Sequence, residues 1–160
     1  MQRFIRYSRV LLLPLALCCM VAAAPARAES NNKDELIGIH ALLDTYTQSV
    51  TDRDEKKFEA QLLDLNIPFM GTGKLNKPGF VATTQNMGDY ASFKAEIFQS
   101  ERRYKQYFKD VKIEQNGNLA QVSLHFVTTD AATGEGGEGW KTLQLLKVQG
   151  QWKIASEFFH

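Results

Sequence analysis

From Tyr104 to the end of the chain, apolar residues recur at every second position, and turn residues punctuate them at short intervals. A helix cannot present such a pattern on one face, because its side chains return every three to four residues; a strand does so at every second one. Val111 and Ile113 alternate before "QNGN", whose Asn-Gly pair is the chemistry of a tight hairpin, and Val122, Leu124 and Phe126 alternate on the return. "TDAATGEGGEG" reads as a longer glycine-rich turn. It is followed by "WKTLQLLKV", the short "QGQ" turn and a last strand in "GQWKIASEFFH". The pattern predicts four consecutive antiparallel strands. In the last of them Trp152, Ile154 and Phe158 lie on one side and Lys153, Ala155, Glu157 and Phe159 on the other. Apolar residues on both faces mean that both must be covered. The final His160 is expected to fray.

Ahead of the strands the period is helical. Leu36, Ile39, Leu43, Tyr46 and Val50 form one stripe that Asp34 can cap, after a flexible lead "ESNNK". After "TDRD" a second, shorter helix presents Phe58, Leu62, Leu63 and Leu65. Pro68 makes "NIPFMGTG" extended, and "FVATTQNMG" fits an irregular strand or a loop. A third helix opens near Asp89, with Tyr90, Phe93, Ile97 and Phe98 inward. Helices followed by a meander of strands define an α+β fold with the helices on one face of the sheet.

Residues 1–28 have the three parts of a secretory signal peptide: Arg3, Arg6 and Arg9 without an acid, an apolar run from Val10 to Ala24, and small residues at Ala26 and Ala28. The run is broken by Pro14 and is shorter than the roughly 20 residues of a membrane span. Cleavage after Ala28 is expected, with a periplasmic or secreted product; lipid processing at Cys18 or Cys19 is the alternative, disfavoured by the bulk of Leu17. The remaining 132 residues make one domain, 29–160, with 15 basic and 18 acidic side chains and a net charge of −3. Such a chain lacks the basic cluster that nucleic acid or an anionic membrane surface selects. Both cysteines leave with the signal, so the expected domain holds no disulfide and no cysteine metal site.

Three stretches together, "TYTQSVTDRD", "EKKFEAQLLD" and the "G-x-W-x-I" strand in "GQWKIASEFF", resemble the NTF2-like superfamily, in particular its SnoaL-like and ketosteroid-isomerase-like branch. The resemblance spans about Asp34 to His160. It implies a cone in which a strongly curved antiparallel sheet wraps three N-terminal helices around an apolar cavity, and a homodimer formed through the outer sheet face. It also implies either a binding module for a small apolar ligand or protein partner, or a cofactor-free isomerase, dehydratase or cyclase. Tyr46 matches the tyrosine of the steroid-isomerase branch. The position of that branch's base falls near Met70, and that of its second acid in "TLQLLKV", and neither holds a carboxylate. Isomerase chemistry of that kind is therefore not expected, because its proton acceptor is missing.

Tyr46 is then core or cavity, its hydroxyl needing a partner if buried. His40 and Asp44, four apart on the first helix, make a candidate acid–base pair or an ordinary flank contact. Glu157 is either a rim charge or, among apolar neighbours, a group with a raised pKa. Tyr46, Phe58, Trp140 and Trp152 are the candidate ligand-binding aromatics. His125 falls on the outer face of its strand. Scattered histidines, and glycines without phosphate-loop spacing, imply neither metal nor nucleotide, and no organic cofactor is expected.

Overall fold

The computed structural model describes residues 26–83 and 86–160, with side chains from residue 33 onward. Most of the expected signal peptide, including Cys18 and Cys19, lies outside the described residues. Helix α1 spans Ala26–Asp52. It therefore starts within the alanines ahead of the expected lead "ESNNK", which is helical. Its stripe is inward as the spacing requires: Ile39, Tyr46 and Val50 are fully buried, with Leu42, Leu43 and Ser49 beside them. The helix stops at Arg53, which takes a left-handed conformation at φ 58°. The Arg53 guanidinium donates to the Phe98 and Ser100 carbonyls at 2.7 and 2.5 Å, so the stop also ties the helix to the far side of the fold.

Helix α2 is one turn, Glu55–Glu59, capped by Asp54 accepting from the Lys57 amide. Phe58 and Leu62 are buried, but Leu63 and Leu65 are exposed, contrary to their expected place on the helix face. The reason is that the helix ends before them. Leu62 instead bridges Ile154, Leu63 N–H donates to the Ile154 carbonyl, and the chain runs extended beside the last strand. Strand β1 (Phe69–Gly71) continues along it. Helix α3 (Tyr90–Lys94) is capped by Asp89 and passes into a π-helical turn, Ala95–Gln99. Tyr90, Ile97 and Phe98 face inward as read from the sequence, with Phe93 partly buried. The described part of "FVATTQNMG" is loop.

Strands β2 (Tyr104–Asn116), β3 (Leu119–Asp130), β4 (Gly136–Val148) and β5 (Gln151–Phe159) form the meander. The sheet order is β1-β5-β4-β3-β2, antiparallel except for β1, which pairs parallel to β5. Parallel pairing is possible because the long connection between β1 and β5 includes the rest of the sheet. Gln149 and Gly150 both have positive φ, the requirement of the tightest hairpin turn. The glycine-rich segment is mostly strand, with pairing resuming at Gly136. A Cβ on Gly139 would overlap the His160 carbonyl and the Phe126 ring, so this glycine serves close approach within the sheet. His160 is not frayed: its backbone exchanges hydrogen bonds with Trp140 at 2.9 and 3.1 Å.

Two register shifts interrupt the ladders, one in β2 between Lys109 and Lys112 and one where Gln144 and Leu145 meet β5. At the second, Gln144 opposes Ser156 and Leu145 opposes Ile154, which leaves Ala155 as the extra residue of a bulge. A bulge shifts the alternation by one. Trp152 and Ile154 point inward as read from the sequence, but beyond Ala155 the inward residue is Glu157, and Phe158 is left 39% exposed. The last strand is therefore apolar on both sides because it changes sides partway along.

Candidate functional site

The inner sheet face, α3 and the segment after β1 do not close on one another. They leave an open cavity of about 650 Å³. Phe69, Phe93, Ile97, Phe126 and Phe159 give it apolar walls, and Lys74, Lys77, Met87 and Asp89, from the segment between β1 and α3, contribute to its lining. Tyr104 and Glu96, which are hydrogen-bonded to each other, line it too. Within these walls lie Lys141 of β4 and Glu157 of β5, 2% and 0% exposed.

The Lys141 Nζ is 2.6 Å from Glu157 Oε1 and donates to the Tyr46 hydroxyl at 2.6 Å. Tyr46 in turn donates to Glu157 Oε1 at 3.0 Å. Each of the three elements has a local reason to deliver its member. Tyr46 is at the centre of the α1 stripe. Lys141 shares the inward side of β4 with Leu143 and Leu145, two and four residues on. Glu157 is turned in by the bulge at Ala155 and lies opposite Leu143 on one side and Phe69 of β1 on the other. Rings surround the ammonium: Tyr46, Phe126, Phe108, Phe159 and Phe93 have centroids 4.5, 5.2, 5.7, 5.8 and 6.0 Å from Nζ.

Burial dominates the electrostatics. It holds Lys141 below the usual lysine range, although the Glu157 charge works the other way. It raises Glu157 against the pull of Lys141 and Tyr46, and with the neighbouring Glu157 charge it pushes the Tyr46 phenol well above its ordinary value. An ammonium and a carboxylate displaced toward each other in an apolar setting share one proton readily. Two lining groups also carry buried oxygen atoms without a hydrogen-bond partner: Oε2 of Glu157 and Oε1 of Gln106, whose amide nitrogen donates to Thr128 Oγ1 at 2.8 Å. A buried polar atom left without a partner is uncommon in a folded chain and calls for one.

Among the residues expected from the sequence, Tyr46 and Glu157 are brought together, and Glu157 is not the rim charge that simple alternation favours. His40 and Asp44 are exposed on the outer side of α1, away from the cavity, because positions 40 and 44 lie off the buried stripe. Phe58 is buried behind the cavity in an aromatic stack, 4.7 Å from Tyr46 and 5.8 Å from Tyr90. Trp152 packs on α1 with its indole N–H donating to Glu35 at 3.0 Å, and Trp140 is half exposed on the outer face. Neither tryptophan lines the cavity. His125 is on that outer face, 3.4 Å from Asp110. Among the described residues no three His, Cys, Asp or Glu side chains gather as a metal would need. Lys141, Gln106 and the phenylalanines of the walls were missed. The available signal for Lys141 was its place in step with Leu143 and Leu145 on an otherwise apolar side.

No protein-family model matches the sequence, and no curated protein is significantly similar to it. Solved structures are similar in fold. A protein of unknown function from Mycobacterium tuberculosis is 19% identical with a TM-score of 0.62, over 82% of this chain and 74% of that one. An NTF2-like protein with a cystatin-like fold from Novosphingobium aromaticivorans is 12% identical with a TM-score of 0.62, over 88% and 90%. A candidate scytalone dehydratase from the same organism is 18% identical with a TM-score of 0.61, over 82% and 87%. The α+β fold is therefore the NTF2-like, cystatin-like one. At these identities the likeness is one of fold, and the chemistry has to be argued from the cavity.

Proposed function

We propose that the cavity takes a small, flat, largely apolar molecule whose one polar end reaches Lys141, Glu157 and Gln106. The observation that carries this reading is the pair of unpartnered buried oxygens, Glu157 Oε2 and Gln106 Oε1, on an aromatic-walled cavity of about 650 Å³. That volume is within the roughly 300–1,000 Å³ of small-molecule sites, which are mostly apolar with a few placed polar groups. A packed scaffold would have no use for the space. A second reading, cofactor-free acid–base turnover, is favoured by one further observation: Glu157 and Tyr46 converge on one point with Lys141. The candidate dehydratase of similar fold is named for a reaction of that general kind, and a candidate aromatic ring hydroxylase also shares the fold.

The reading includes export and pairing. Residues 1–28 are the signal, and copies pair through the outer sheet face, where Tyr107, Trp140 and Phe158 are 55%, 50% and 39% exposed. Register puts these three on one side of the sheet, since Trp140 opposes His125, Lys109 opposes His125, and Phe158 opposes Thr142. Among the described residues no helix is long and apolar enough to cross a membrane. Native mass spectrometry of protein recovered from the periplasm of an expressing bacterium tests all three points. The expected species is a dimer of chains beginning at Glu29 with a small molecule retained, and Trp140→Glu is expected to return it to monomers. A bare monomer that never takes up added apolar compounds would leave the cavity without a function.

A further inference from the structure

We infer that the Lys141 amine captures an aldehyde or ketone in the cavity as an imine, with Glu157 moving the protons. The inference rests on the small-ligand reading above and narrows it to carbonyl compounds. Three features carry it. First, Nζ belongs to a side chain that contributes to the cavity lining and is 2% exposed, so the amine is set in the inner wall of the space and not out in solvent. Second, Glu157 Oε1 and the Tyr46 hydroxyl, each 2.6 Å away, engage two of its three ammonium hydrogens. Third, the other Glu157 oxygen, Oε2, is buried and unpartnered and belongs to a residue of the same lining, so the carboxylate keeps an acceptor that neither Lys141 nor Tyr46 uses. A lysine used only as a structural counter-ion needs a carboxylate, but not a free second oxygen beside an aromatic-walled space. Burial favours the uncharged amine, the nucleophilic form.

The step balances without an outside reagent. The ammonium gives its proton to Glu157 across the 2.6 Å contact, leaving a lone pair on Nζ. That pair attacks the carbonyl carbon; the C–N bond forms as the C–O π bond opens, and Glu157 protonates the oxygen to give a carbinolamine. The nitrogen then returns a proton to the carboxylate, Glu157 protonates the hydroxyl, the C–O bond breaks, and water leaves with a protonated imine paired to the Glu157 carboxylate. Tyr46, which donates to Glu157 Oε1, is a positioning residue that holds the carboxylate by one oxygen and leaves the other unengaged.

The test uses the whole protein, cinnamaldehyde and cyanoborohydride, which reduces an imine to a stable amine. Peptide mapping then locates the added mass, the aldehyde less one oxygen atom. One adduct per chain, concentrated on Lys141 and ahead of the exposed Lys74 and Lys77, is the expected result, and Glu157→Gln should slow its formation without moving it. In parallel, cinnamyl alcohol, which has the ring and no carbonyl, is titrated while the amide signals of Gly71 and Gly88 in the cavity lining are followed by NMR. Shifts with the alcohol but adducts only on surface lysines would overturn imine capture while leaving the cavity as a binding site. No shifts and no Lys141 adduct would overturn both. Because the mapping is done on the unmodified chain, a variant that fails to fold cannot spare the inference.

Discussion

Lys141 and Glu157 are both needed where they are because each is intolerable alone. A single buried charge of either sign pays several kcal/mol in lost hydration, whereas a paired one recovers much of it. Lys141→Met is therefore expected to cost about 3–5 kcal/mol, and Glu157→Gln, which still accepts from Tyr46, somewhat less. In the double variant the apolar chain and the amide no longer strand a charge, so its cost should fall well below the sum. Urea unfolding of the four proteins measures this coupling; simple additivity would mean that the two side chains do not act as a pair. The sequence disclosed these residues unequally. Tyr46 was legible from the spacing of one helix. Glu157 was visible as a residue but assigned to the wrong side, because its orientation depends on an extra residue at Ala155 that no local signal announces. Lys141 was hidden by its type, since a lysine in a strand is ordinarily taken to face water.

Among the elements, hairpins were the most legible, because strict alternation and turn chemistry agree over long stretches. Ends were the least. Leu63 and Leu65 carry a helical spacing that the chain abandons once Leu62 can pair with Ile154, a contact 92 positions away. "GEGGEG" reads as a turn by composition, yet much of it is the start of β4, where small size and not turn formation is what the position demands. The two uses can be separated within that strand. Gly139 has no room for a Cβ, while a Cβ on Gly137 meets nothing within 4 Å. Gly139→Ala is expected to destabilise by about 1–3 kcal/mol through overpacking against the last strand. Gly137→Ala should be neutral or gain roughly 0.5–1 kcal/mol, as alanine does over glycine within regular structure. Melting the two variants side by side checks the assignment. Equal losses would mean that the glycines are kept for chain flexibility and not for space.

For the whole molecule, the buried cluster shapes how stability varies with pH. Stability rises with pH where the unfolded chain binds more protons than the native one, and falls where it binds fewer. Between the ordinary carboxylate and lysine ranges, the unfolded chain carries one proton on the Lys141–Glu157 pair, and the native pair also holds one. The pair therefore contributes a plateau there, whichever partner has the proton. Below it the native Glu157, raised by burial, takes its second proton no later than the unfolded chain does, so the pair itself adds no loss of stability in acid. Stability falls with acid through Glu35, Asp89 and Glu138, whose carboxyls are held low by Lys147, by the Ser92 amide and by Lys109. At the alkaline end the sign reverses. The unfolded chain loses the Tyr46 proton near pH 10, the native chain keeps it, and each retained proton lowers stability by about 1.4 kcal/mol per pH unit. Tyr90, raised by burial and by Glu59, adds to that slope. Unfolding curves for the natural chain and Tyr46→Phe across pH 8–11 isolate the share of Tyr46. The variant should have lost the tyrosine hydrogen bonds at every pH, yet above pH 10 its curve should be shallower by one proton and close on the natural one. Parallel curves would mean that the Tyr46 phenol ionises in the native fold as freely as outside it. The hydroxyl would then be reaching water, and the closed arrangement around Lys141 would have to be abandoned.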